Sequence, residues 1–148
     1  MLRYAACLAR EGEQVTVSFP DHPDVLSYGD SREDALAQGR DALLTQLMIC
    51  QQERRVFALP STPCAGDVVD LPMMAALKVF LHNAMVEKGW RKVDLAQSMG
   101  WANSQVERVL DPRYQSRLPL IEDALHTLGK DVQAQVVDIP MARPDLSV

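Results

Sequence analysis

The residues best suited to chemistry lie in and just beyond KVDLAQSMGWANSQVERVLD, Lys92 to Asp111. Asn103, Ser104, Gln105 and Arg108 fall on the outward side of a predicted helix, where they could bridge adenine edges, bond phosphates or fork onto guanine. Glu107 beside them would tune that specificity or face solvent. Lys92, Arg113 and Arg117 flank the helix as cations placed to meet a phosphate backbone. A second set is acidic. Asp21, Asp24, Asp30 and Asp34 would suit two Mg²⁺ ions if they converged. Asp21 and Asp24, however, sit in a proline-bounded turn, and Asp30 and Asp34 fit the electrostatics of a helix start. Catalysis is therefore not expected, and no cofactor is implied. Cys7, Cys50 and Cys64 are far apart with no C-x-x-C pair, and His22, His82 and His126 have no partner at i+4. Reduced structural thiols are expected, and a metal site is not.

Two short helices over a tight turn must position the first set. Ala96 is small where the helices would cross, Gly100 can take the positive φ of the turn, and Leu95, Met99, Trp101, Val106 and Leu110 would hold the pair together. The spacing predicts helices over about Lys92–Met99 and Asn103–Leu110, the second stopped by Pro112. Before them Pro72 opens a helix whose stripe is Met73, Ala76, Leu77, Phe80, Leu81, Ala84 and Met85, with Gly89 as its C-cap. After them a helix from about Pro119 to Leu128 precedes Gly129. Val132 to Ile139 alternates like a strand and has no partner in a helical unit, so pairing with the same strand of a second copy is expected.

The first half has a different pattern. RYAACLAREGEQVTVSFPD predicts two strands about a turn at Glu11–Glu13, with Val15, Val17 and Phe19 on the buried face. Pro20 and Pro23 are expected to end the ladder, leaving a loop with a short extended piece at Leu26–Tyr28. Ser31 with Asp34 forms a weaker capping box. A helix then carries Ala35, Leu36, Ala42, Leu43, Leu47 and Cys50 to about Arg54, with Gly39 as a small contact point. Phe57 to Asp67 suits a crossing loop, and Val68, Val69 and Leu71 a short strand. The fold class is therefore α+β: a small N-terminal sheet with one helix over residues 1–71, then an all-α helix-turn-helix unit with a terminal dimerising strand over 72–140. Residues 141–148 are expected to form a mobile tail.

Charge follows the same division. The chain of 148 residues carries net charge −5, and all of that surplus falls in residues 1–71, while the remainder is neutral. Within the neutral part, Lys88 to Arg117 holds six cations against three acids. A sheet of this size also leaves an edge exposed, which asks for a partner or self-association. No apolar run approaches the roughly 20 residues of a membrane span, and Arg10 and Glu11 interrupt any signal-peptide core. A cytoplasmic protein that does not engage membrane is expected.

Two resemblances cover the chain to about residue 138. DLAQSMGWANSQVERVLDPRYQSRLPLIEDALHTLGKDV resembles the Cro/repressor type of helix-turn-helix, with Lys92 where a polar phosphate contact is usual and Ala102 in place of the usual Ser cap. VSFPDHPDVLSYGDSREDALAQGRDALLTQL is similar to the HicB-type antitoxins of type II toxin-antitoxin systems. Phe19, Pro20, Asp21, Pro23, Gly29, Asp30, Ser31, Ala35, Ala42 and Leu43 match that pattern, and Asp24 and Val25 replace a common Gly-Cys.

The second resemblance implies an N-terminal domain like a partial ribonuclease H fold without nuclease activity, which binds and blocks a small mRNA-cleaving toxin of the HicA type. It also implies a C-terminal domain that dimerises, with tetramers an open question, and represses the operon by binding double-stranded operator DNA. An acidic half suits a basic RNA-binding toxin. The alternative reading is a stand-alone helix-turn-helix transcription regulator whose N-terminal half senses a small ligand.

Overall fold

A computed structural model of the chain describes residues 1–141. Its elements run β1 (Leu2–Ala5), β2 (Cys7–Glu11), β3 (Gln14–Phe19), β4 (His22–Gly29), α1 (Arg32–Glu53), β5 (Val68–Leu71), α2 (Met73–Lys88), α3 (Lys92–Met99), α4 (Asn103–Leu110) and α5 (Leu118–Thr127). The expected first strand is present but divided at Ala6. Its first part, β1, pairs antiparallel with β5, and its second part, β2, pairs antiparallel with β3. At the break the Ala6 N–H donates to the Asp67 carbonyl at 2.9 Å, so the step between the two ladders leaves that donor satisfied.

The loop expected after Phe19 is instead a strand. Phe19 pairs with His22 across Pro20 and Asp21, and after a register irregularity at Ser18 and Phe19 the ladder continues to Val15 and Gly29. Proline does not end it because β4 lies at the edge of the order β2-β3-β4. A missing N–H on the outer side of an edge strand removes no ladder bond.

α1 begins as its sequence requires. The Asp34 N–H donates to Ser31 Oγ at 3.1 Å, and the Asp34 carboxylate accepts the N–H of Asp30, one residue before the N-cap, at 2.9 Å, a variant of the capping box. The helix buries Ala35, Gly39, Leu43, Leu47 and Cys50. A Cβ on Gly39 would meet Phe19 and Val17 at 3.0 and 3.2 Å, so glycine sets the close approach of α1 to β3.

Two apolar cores result, and α2 serves both. Ala75 and Val79 join Tyr4, Val17, Phe19, Leu43 and Phe57 in the first. Leu77, Leu81, Ala84 and Met85 join Leu95, Val106, Ile121 and Leu125 in the second. The single stripe expected on α2 is accordingly incomplete: Phe80 and Met73 are exposed, while Ala75 and Val79 are buried.

The terminal strand expected over Val132–Ile139 is absent from a single chain, since residues 130–141 carry no regular structure. A strand exists only through ladder bonds, and one chain offers this segment no ladder. The tail expected over 141–148 lies, beyond Met141, outside the described residues. Among those described, no helix is long and apolar enough to cross a membrane.

Candidate nucleic-acid and partner interfaces

α3 and α4 cross as their small and apolar residues dictate. Leu95, Ala96, Val106 and Leu110 are buried between them, and Met99 and Trp101 are half-buried against the same core. Gly100 ends α3 with φ 67°, the left-handed region in which a glycine has no steric cost. The Trp101 N–H then returns to the Ala96 carbonyl at 2.9 Å. At the head of α3 the Asp94 carboxylate accepts the Arg91 N–H at 2.7 Å. Ala102 is the N-cap of α4 and brings no side-chain bond. Asn103 does not cap the helix in its place, and its side chain has no hydrogen-bond partner among the described residues.

The predicted site residues divide into three groups. Asn103 and Ser104 are exposed in the first turn of α4. Gln105, Arg108 and Arg117 meet in one open cleft of about 540 Å³, together with Trp101, Tyr114 and Ser116. Lys92 and Arg113 are directed elsewhere. Lys92 Nζ bonds both carboxylate oxygens of Glu107 at 3.0 Å, tying the start of α3 to α4. Both side chains are exposed, so the pair contributes little stability and can exchange partners. Arg113 reaches back to α1, donating to Asp41 Oδ1 and Thr45 Oγ1 at 2.9 Å each.

Lys78 on α2 secures the end of α4, a structural role that its sequence context does not mark. It is fully buried on α2. Its Nζ donates to the carbonyls of Arg108 at 3.1 Å, Asp111 at 2.7 Å and Tyr114 at 2.6 Å, and bonds Ser116 Oγ at 2.9 Å. The last carbonyls of a helix lack intrahelical partners and attract cations. α4 has no glycine cap, and a buried ammonium takes that place. Burial lowers the Lys78 pKa to about 8, with the Asp111 charge pulling it upward. The one signal in the sequence was a lone lysine inside the apolar run MMAALKVFLHNAM.

In the first half, the acids stand where backbone donors need them. Asp21 accepts from the N–H and hydroxyl of both Ser61 and Thr62, at 2.7 to 3.2 Å for its Oδ1 bonds to Ser61 Oγ, Thr62 Oγ1 and Thr62 N. Burial works to raise its pKa, but those bonds outweigh it and hold Asp21 at about 2. The Phe-Pro-Asp stretch therefore anchors the crossing loop. Tyr4 Oη and His22 Nε2 both bond the Ala58 carbonyl, at 2.7 and 2.9 Å, and Asn83 clamps the backbone of Phe57 from α2. Among the described residues no group of three or more His, Cys, Asp or Glu side chains is gathered. Of the cysteines only Cys50 is buried, and Cys7 and Cys64 are exposed free thiols.

Comparison with known proteins agrees with this architecture. Residues 3–80 match the family described as HicB_like antitoxin of bacterial toxin-antitoxin system. The chain is 32% identical over 133 residues to Antitoxin HicB 2 of Photorhabdus laumondii subsp. laumondii, covering 89% of this chain and 94% of that one. It is 33% identical over 141 residues to Antitoxin HicB of Pseudomonas fluorescens (strain Pf0-1), covering 92% and 94%. To Antitoxin HicB of Escherichia coli (strain K12) it is 28% identical over 139 residues, covering 92% of this chain and 100% of its relative. Four strands, a helix and a fifth strand, with a match running from β1 into α2 and relatives that span both halves, lead to one conclusion: the chain belongs to the HicB-like antitoxin family.

Proposed function

We propose that this antitoxin binds and neutralises a small mRNA-cleaving toxin of the HicA type through its acidic first half, and represses its own operon through α3 and α4. The observation that carries the reading is the joint one: a family match over residues 3–80, followed by two crossed helices whose second presents Asn103, Ser104 and Arg108 to solvent. In this reading α4 is the recognition helix of a helix-turn-helix. Asn103, Ser104, Gln105 and Arg108 meet base edges, and Arg117, in the same cleft, meets phosphate. Lys92 leaves Glu107 for a phosphate when DNA arrives. Arg113, held on α1, sets the attitude of the loop that follows α4 and is the weakest of the predicted contacts.

The chain acts as a binding protein rather than an enzyme, and it needs no cofactor. It works as a homodimer in the cytoplasm. Val136, Val137 and Ile139 are largely exposed in a single chain, and pairing of their segment with the same segment of a second copy would bury them and make the DNA-reading unit two-fold symmetric. Operator binding tests the DNA half. Arg108→Ala is expected to relax base preference, whereas Lys92→Ala weakens binding to all sequences and lowers the salt slope by about one. Unchanged affinity in both variants, measured by titration at several salt concentrations, counts against α4 as the recognition helix.

A further inference from the structure

Strand β4 has two faces of different character. Val25 and Gly29 are buried toward α1, and a Cβ on Gly29 would fall 2.2 Å from the Ala35 nitrogen. Side chains alternate along a strand, so Leu26 and Tyr28, both in the regular part of the ladder with β3, stand in a row on the opposite face. Leu26 and Tyr28 are 55% and 47% exposed. Register places Ala9 and Thr16 in line with Tyr28, and Cys7 and Ser18 in line with Leu26. These neighbours are small, which leaves the two large side chains standing on a flat floor. α1 packs on the other face of β3 and β4, and among the described residues no element covers this one. Among the described residues β4 also has no strand on its outer side, and an uncovered edge of eight residues invites a partner.

We propose that this row is the docking strip for the toxin, a small basic protein, in an interface with Leu26 and Tyr28 at its centre and acids at its rim. The proposal rests on the antitoxin reading and adds where the partner sits. Charge decides the occupant. Asp30 follows Tyr28 by two residues, and Glu11 occupies the same face as Ala9. Among the described residues the nearby cations are turned away or paired: Arg10 is in register with Val15 on the other face, Arg3 is paired with Asp70, Arg32 with Asp67 and Arg55 with Glu53. A second copy of this chain docked through the same strip would set acid against acid. A cationic partner with apolar side chains meets the reverse situation, with an apolar centre inside a complementary rim.

The test uses the full-length chain and its cognate small basic toxin, made in a form that no longer cleaves RNA. A chain carrying Leu26→Lys and Tyr28→Lys is expected to bind that protein at least 100-fold more weakly, with its thermal midpoint and its operator affinity close to wild type. In the Cys64→Ser background, alkylation of Cys7 on the same face is expected to slow when the complex forms. Wild-type affinity in the double lysine variant overturns the strip while leaving the antitoxin reading intact, as does a changed oligomeric state with toxin affinity retained. Failure of the wild-type chain to bind the protein overturns both.

Discussion

Lys78 shows how much a single buried side chain can govern here. Its pKa is lowered from 10.5 to about 8, chiefly by burial. Between those two values the unfolded chain keeps a proton that the folded chain has released. Stability therefore rises with pH across that window as far as this group is concerned, and is level on either side. Lys78→Met is expected to remove the rise, which for a side chain with no exposure is of the order of 3 kcal/mol across the window. Urea unfolding of both proteins between about pH 7.5 and 10.5 checks it; parallel curves would show that Lys78 does not titrate as its burial requires. Little of this was legible beforehand. Three of the four partners of Lys78 are carbonyl oxygens 30 to 36 residues further along, and a carbonyl leaves no mark in a sequence. Asp21 was the opposite case, since its place in a proline-bounded turn already argued for a structural role, and its Ser61 and Thr62 partners supply one.

At the scale of elements, the start of α4 is a defect that can be corrected. Ala102 has φ −67° and ψ 154°, an extended conformation suited to a capping side chain, and offers none. Ala102→Ser is expected to stabilise the chain by about 1 kcal/mol through a bond to an open N–H of the first turn. Chemical unfolding reads that gain, and a neutral or destabilising result would mean that the first turn already has its donors satisfied. Helices with one buried face and a marked cap, α1 above all, were legible almost residue by residue. α2 was legible as a helix but not as a shared one, because burial on two sides blurs the single stripe that periodicity detects. β4 was underestimated for a related reason. Pro23 argues against a strand only when the strand is central, and centrality is a property of the sheet rather than of the segment. For Val132–Ile139 the alternation is real, but among the described residues no strand pairs with it.

The whole molecule joins an acidic α+β unit to a locally basic helical one through more than a linker. α2 belongs to both cores. Gln51 on α1 donates to the Leu110 carbonyl at 2.7 Å, and Arg113 holds Asp41, so α1 grips both sides of the turn that ends α4. The partition of charge between the halves was readable from residue counts. The seam was not, because the clasp depends on where one helix end falls against another. Neutralisation belongs to this scale, and a titration of purified toxin with purified full-length chain, with RNA cleavage followed, measures it. Cleavage is expected to fall in proportion to added chain and to end when toxin sites are filled. Cleavage that continues undiminished in a several-fold excess of the chain would contradict it.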